Sequence, residues 1–440
     1  MNPPISSINA RNEARLIFDA ALKAVDPYAC VMKHMDDVRD SFEQGRFERV
    51  VVVAAGKGAY PMCRAAEESL GDLISGGIAV TKYGHGGKLG RIEIFEGGHP
   101  LPDVNGAQAS EKIIELLKSA GEKSLVLCLL SGGGSALLVA PAETLSLGDI
   151  QKSTDLLLRG GADIQELNCV RKHLSKVKGG RLAEAAFPSP LISLILSDVI
   201  GDPLDIIASG PTSPDPTTFR DALDVIDKFV LREDIPPNVM NYLIERASGK
   251  LEDTPKPGGI VFSGVRNFIV GNNRIALEAA RSKAGELGYE TEIRSDRVSG
   301  DAVQVAFKMA EYAIERQSSL QSGGRLCVIS GGETTVVVKG DGKGGRNMEL
   351  ALAFAGKIKG TQGITLLSAG TDGTDGPTDA AGAIVDGNTI INAAHAGYDS
   401  SEYLENNDSY NFFKNAEGLL KTGPTGTNVM DVQLMILEKS

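Results

Sequence analysis

The feature that most restricts this chain is a set of short apolar runs that do not alternate with polar residues. RVVVVAAG, GGIAVTKYG, SLVLCLLSGGG and SLILSDVIGD are each rich in Val, Ile and Leu, and each closes on glycine or aspartate. Unbroken hydrophobicity over about four to seven residues marks strands buried on both faces, as in parallel sheets packed between helices. Helical patterns separate the runs, so the predicted class is α/β, with a Rossmann-like parallel sheet covered by helices.

An amphipathic helix precedes the first run, with Ala14, Ile17, Phe18, Ala21 and Val25 on one stripe before Asp26-Pro27 stops it. At ASGKLEDTPKPGG (247–259) the composition turns to Pro, Gly, Ser and charge. A domain boundary is expected there, giving an N-terminal Rossmann-like domain over 1–248 and a smaller α/β domain over 259–440. The last segment of the second domain is allowed to pack back on the first. Beyond the boundary come NFIVGNN and a helix, RLCVISGGETTVVVKG, a helix from about Asn347, and ITLLSAGTDGTDGPTD. VVVKG suits a parallel sheet poorly, so the second sheet is predicted to be mixed. LVLCLLSGGGSALL and RLCVISGGETTVVV echo each other, which convergent loop chemistry explains as well as duplication does.

A length of 440 residues favours two domains. Glycine is in excess, at 52 of 440 residues or about 12%, against about 7% in ordinary proteins. Loops that need positive φ or close backbone approach use glycine in this way, including loops that wrap anions. The net charge of −12 argues against general affinity for nucleic acid or an anionic membrane. Cys30, Cys63, Cys128, Cys169 and Cys327 are scattered without a CxxC pair, so reduced buried thiols are expected. No signal-like apolar core stands at MNPPISSINARNEAR, and no segment reaches the ~20 apolar residues of a membrane span. The expected location is cytoplasmic.

In open α/β sheets ligands collect at the carboxyl ends of strands, where helix N-termini and unpaired backbone N–H groups gather. GKGAYP follows the first run. Gly56-x-Gly58 has the start of a dinucleotide fingerprint, but Pro61 occupies the third glycine position. The next run ends in Lys82, where an acidic ribose ligand would stand. It is not a Walker A loop, since no Ser or Thr follows Lys57. Lys57 is either a solvated turn lysine or a phosphate ligand that adds charge to a helix N-terminus. SGGGSALL offers the bare amides of Gly132, Gly133 and Gly134 and the hydroxyls of Ser131 and Ser135, a pattern that suits an anion better than a plain turn.

NCVRKHLSKVKGGRL crowds Arg171, Lys172, Lys176, Lys178 and Arg181 together, either as a solvated helix face or as a site for a carboxylate or phosphates. SDVIGDPLDIIASGPTSPDPTT puts Asp198 and Asp202 past a buried run, where carboxylates hold Mg2+, act as a base, or simply cap and turn the chain. Asp372, Asp375 and Asp379 in TDGTDGPTD carry the same ambiguity, without the spacing of an EF-hand loop. GDGKGGRNMELALAFA sets Lys343 and Arg346 in a glycine-rich loop, with Asn347 as a cap and Glu349 in the first turn of the following helix. Of the five histidines, His99 and His173 are read as cleft residues.

AAGKGA, SGGGSALL, VRKHLSKVKGGRLA, SDVIGDPLDIIASGPT, GGRNMELALA, GTDGTDGPTDAAGA and TGPTGTNVMDV occur together and in this order. The set resembles the glycerate 2-kinase family (MOFRL or class II glycerate kinases), whose members were once labelled hydroxypyruvate reductases. The likeness spans nearly the whole chain. GRNME carries methionine where relatives often have glutamine, and EGGHP departs from the usual SHP-type segment at His99; neither touches a basic residue.

The resemblance implies ATP-dependent phosphorylation of D-glycerate at its 2-hydroxyl, with ATP and Mg2+ as cofactors, giving 2-phospho-D-glycerate and ADP. It also implies a larger Rossmann-like domain and a smaller α/β domain flanking a cleft. Lys57 and Arg346 match the family's key basic residues, and Asp198 is the candidate base. Gly56, Gly58, Ser131 to Ser135, Arg171, Lys172, Asn347 and Asp375 are candidates for holding substrate or nucleotide, and Asp198 and Asp202 for the metal. The partners expected are D-glycerate and nucleotide, neither nucleic acid nor membrane, with a homodimer allowed. A nicotinamide-dependent hydroxypyruvate reductase and a non-catalytic sensor of small hydroxy acids stay open as alternatives.

Overall fold

The computed structural model describes residues 5–249 and 252–439. The chain forms two compact units, the first of Pro27–Val270 and the second of Met1–Asp26 with Gly271–Ser440.

The first unit holds strands β1 (Arg49–Ala55), β2 (Ile74–Lys82), β3 (Ile92–Gly97), β4 (Ser124–Leu130), β5 (Leu191–Leu196) and β6 (Val265–Gly271), in the spatial order β3-β2-β1-β4-β5-β6. Each pairing from β3 across to β5 is parallel. Every residue of β4 and β5 is buried, as is β1 from Val50 onward, which is why these runs carry no polar alternation. The helix Val104–Lys118 packs Ala109, Ile113 and Leu117 into this core. Asp103 starts that helix by accepting the N–H of Gly106 at 3.0 Å, a cap worth about 1 kcal/mol. A satellite core around Leu157, Val170, Phe219 and Leu243 joins the helices Leu147–Arg159, Ile164–His173, Phe219–Lys228 and Pro237–Ala247.

The second unit holds β7 (Glu290–Asp301), β8 (Arg325–Thr335), β9 (Ile364–Gly370), β10 (Gly382–Asp386), β11 (Leu419–Leu420) and β12 (Asp431–Glu438), ordered β11-β10-β9-β12-β8-β7. Only β7–β8 is parallel, so the sheet is mixed as expected, although VVVKG itself lies past the end of β8 and outside the sheet. The predicted first helix forms as Ile5–Ala24, and its stripe of Ala14, Ile17, Phe18, Ala21 and Val25 is fully buried. It belongs to this second unit. Arg11 Nε meets Asp386 at 2.7 Å, and Thr427 Oγ1 donates to the Val25 carbonyl at 2.7 Å.

The units therefore divide differently from the composition break at 247–259. The described part of that stretch belongs to the first unit, tied down where Asp215 N donates to Pro255 O at 2.9 Å and Thr254 Oγ1 donates to Asp215 at 3.0 Å. The chain still adds β6 to the first sheet after it. Proline, glycine and charge report where backbone is exposed, which need not be where a domain ends. The closing strand β12 is not a return to the first unit; it lies between β8 and β9. The Ser-Gly-Gly echo is not structural either. After β4 the motif is a turn into a short helix, whereas in β8 it continues as strand. The five cysteines are reduced and buried.

Candidate active site

The strand order of the first sheet reverses direction between β1 and β4, which lie side by side with Ala55 opposite Leu130. Chains leaving their carboxyl ends diverge there and open a crevice. The two loops at that point are GKGA and SGGGS, and they are stitched together. Ser131 N donates to Ala55 O at 3.0 Å, Lys57 N to Gly132 O at 2.8 Å, and Gly58 N to Ser131 Oγ at 2.9 Å. Gly56 has φ +131°, and a Cβ there would overlap the main chain of Ser131, so only glycine permits the approach. The loop is largely buried rather than exposed, with Lys57 partly accessible just before the helix Ala59–Leu70.

Gly133, at φ +81°, lies under two side chains: a Cβ on it would stand 2.9 Å from the His99 ring and 3.3 Å from Lys57 Cγ. The lysine stem thus lies across the bare loop. Among the described residues the amides of Gly132 and Gly133 donate no hydrogen bond. Gly134 faces Ala208, which with Ser209 adopts left-handed φ of 51° and 62°. Two successive non-glycine residues in that region cost about 1 kcal/mol each. The serine hydroxyls are engaged: Ser135 Oγ bonds Ser209 Oγ, and Ser209 Oγ donates to Asn168 Oδ1 at 2.8 Å.

The basic cluster separates by role. Lys172 Nζ is buried 3.4 Å from both Asp205 and Asp215, so its charge is compensated internally. This removes it from the candidate substrate ligands. His173 is also no cleft residue. Its ring is fully buried, with Nδ1 on Cys169 O at 2.7 Å and Nε2 on Asp253 at 3.1 Å. Arg171, one residue earlier on the helix, turns another way: its Nη2 donates to Ser135 O at 3.1 Å. Lys178, named in the basic cluster but not among the candidate ligands, donates to Ser135 O at 2.6 Å and Leu138 O at 3.0 Å. Burial, with Arg171 nearby, holds its ammonium well below the usual lysine range, and burial lowers Arg171 to about 10. Asp198 and Asp202 both follow β5 and are partly exposed, Asp202 in a turn with φ 55°. Among the described residues no group of three His, Cys, Asp or Glu is arranged to hold a metal by itself.

In the second unit Arg346 is the first residue of the helix Arg346–Lys357. Its Nε and Nη2 grip the two oxygens of Asp431 at 2.6 and 2.9 Å, and Nη1 meets Glu333 at 2.6 Å. Burial alone would weaken the guanidinium's hold on its proton, but the fully buried Asp431 more than offsets this and raises it. Asn347 does not cap its helix as expected. It is buried within the first turn and accepts from Ser368 Oγ at 2.7 Å. Asp375 supplies the cap instead, accepting Asn347 N at 3.1 Å and Met348 N at 2.8 Å. The N-cap position itself is Gly345, whose missing Cβ makes room for that carboxyl. Burial pushes Asp375 up to about 7, against the pull of the two N–H groups. Arg346, Glu333, Asp372 and Asp375 line one cavity of about 760 Å³. Asp431 and Glu333 had no local signal beyond an acid beside an apolar strand.

These features define a doubly wound α/β protein whose glycine-rich loops pack closely at the switch point of its parallel sheet. Residues 13–244 match the family described as a domain of unknown function, DUF4147, and residues 326–431 match the MOFRL family. The chain is 46% identical over 399 residues to the D-glycerate 2-kinase of Thermotoga maritima, covering 90% of this chain and 92% of that one. It is 41% identical to the glycerate 2-kinase of Pyrococcus horikoshii, over 95% of both. The crystal structure of the Thermotoga maritima glycerate kinase superposes with a TM-score of 0.88 at 43% identity, over 98% of this chain and 99% of that one. The chain belongs to the glycerate kinase family and is a phosphotransferase. No helix among the described residues is long and apolar enough to cross a membrane.

Proposed function

We propose that the protein transfers the γ-phosphoryl group of ATP to the 2-hydroxyl of D-glycerate. The oxygen–phosphorus bond to the glycerate hydroxyl forms as the bond to ADP breaks, and the hydroxyl proton leaves to a base or to water. Such transfers need positioning and charge neutralisation more than covalent catalysis. The observation that carries the reading is the Lys57 stem laid across the triglycine turn at the switch point. Its ammonium and the open amides of Gly132 and Gly133 are the groups we assign to the transferring phosphoryl group. Gly56, Gly58, Ser131 and Gly134 set the shape of that cradle, and Ser135 fixes its far end.

Mg2+ takes one or two carboxylates and completes its shell with phosphate oxygens and water. Two partly exposed carboxylates at the end of β5, Asp198 and Asp202, fit that demand without a closed cluster. Bound there, the metal would offset phosphate charge. Asp198 is also our candidate for accepting the hydroxyl proton. Arg346 keeps two N–H groups beyond those given to Asp431 and Glu333, and we assign them to an anionic oxygen of nucleotide or substrate in the cavity it lines. Asp375 and Asn347 act by fixing the helix that carries Arg346.

The strand order would also suit a dinucleotide, but Pro61 sits in the first helical turn and Lys82 ends β2. Mixing the protein with Mg-ATP and D-glycerate should release ADP, and phosphorus NMR should show the 2-phosphate. Oxidation of NAD(P)H with hydroxypyruvate and no ADP release would overturn the proposal.

A further inference from the structure

A cavity of about 270 Å³ opens within the first unit beyond Ser135. Arg171 and Lys178 line it on one side, and Ile150, Leu158, Leu167 and Val139 make apolar walls. Two large apolar side chains at its edge are open to solvent, Leu101 at 73% and Leu158 at 56% exposure. Its one acidic lining residue, Asp155, is paired with Arg159 at 3.0 Å.

The cations are the unusual part. Lys178 is 2% exposed, as Lys172 is, yet the two are treated oppositely. Lys172 has two carboxylates at 3.4 Å, whereas Lys178 has only main-chain carbonyls, and Arg171 shares one of them. Among the described residues neither Arg171 nor Lys178 meets a carboxylate. A buried cation beside a partly buried one, with no counter-charge, is costly, and a bound anion removes that cost. Apolar walls beside them select a ligand that is not wholly polar.

We propose that this cavity binds a small organic carboxylate with an apolar body, its oxygens on Arg171 and Lys178 and its carbon chain on the leucine and isoleucine walls. The inference stands on the cavity alone and does not rest on the phosphoryl-transfer reading. The occupant is an acid other than D-glycerate, whose remaining two carbons each bear a hydroxyl and offer no apolar body to these walls.

The test is isothermal titration of the full chain with isovalerate and with its uncharged amide. Isovalerate should bind, and the amide should bind about tenfold or more weakly, the loss typical of a charge-assisted hydrogen bond. Arg171→Gln and Lys178→Met should each weaken isovalerate binding by about the same factor, with a thermal melt to verify folding. If Lys178→Met does not fold, Arg171→Gln and the acid–amide comparison still decide. Repeating the titration with saturating D-glycerate should leave isovalerate binding unchanged, whereas suppression would place the phosphoryl acceptor in this cavity and overturn the assignment to a second acid. Failure of isovalerate to bind, equal binding of acid and amide, or unaltered binding by folded Arg171→Gln overturns the proposal.

Discussion

Arg346 and Asp431 meet through two near-parallel bonds of 2.6 and 2.9 Å, one residue opening a helix and the other opening a central strand 85 positions later. The carboxylate is fully buried and the guanidinium is 32% exposed. Such a fork fixes direction as well as charge. Asp431→Asn should destabilise the fold by about 2–4 kcal/mol, somewhat less than breaking a fully buried pair. Arg346→Lys should lose activity without recovering the fork, since an ammonium cannot fill two planar positions. Urea denaturation and steady-state kinetics check both; an Arg346→Lys enzyme with unaltered kcat/KM would remove Arg346 from the site.

Lys57→Met keeps the stem that packs over Gly133 and removes only the charge. Turnover should fall about 10²- to 10³-fold, the scale of losing one preorganised donor, with the melting temperature nearly unchanged. Gly133→Ala should harm both, because its added methyl meets His99 and Lys57 at a φ of +81°. A Lys57→Met enzyme with ordinary turnover contradicts the role assigned here.

Lys172→Met should behave as a folding mutation. It leaves Asp215 at 0% exposure without its ammonium, a cost of about 3–5 kcal/mol. Protein that does fold should retain the KM of the unaltered enzyme for both substrates. A stable variant with a raised KM would show that this lysine serves the ligand after all.

Asp375 gives a pH signature. Its folded value is about 7, above the roughly 3.9 of an unfolded aspartate. The folded chain therefore binds this proton more tightly. Its contribution to stability is complete below about pH 4 and is lost as pH rises through 7. Asp375→Asn keeps an acceptor for the two N–H groups but cannot titrate. Between pH 4.5 and 8 the stability difference should shift toward the variant, by on the order of 3 kcal/mol. Parallel stability–pH curves for the two proteins would refute this.

Local patterns carried much of the fold. Unbroken Val and Leu runs marked β1, β4 and β5 because a strand covered on both faces has no solvent side to show. The stripe from Ala14 to Val25 marked a helix because its burial follows the helical period. Glycine punctuation located the loops after β1 and β4, where close backbone approach excludes a Cβ. Which partner each charge would meet was not legible. Arg171 and Lys172 are neighbours in sequence, yet one turns to Ser135 and the other to Asp215. Asn347 has the chemistry of a cap, but Asp375 fills that position from a distant loop. The first helix and β12 join one unit although almost the whole chain lies between them. Sequence determines what a segment can be, since propensity and period act within a few residues. The tertiary structure alone decides which buried charge meets a carboxylate and which meets only main-chain carbonyls, because that depends on contacts made across tens to hundreds of residues.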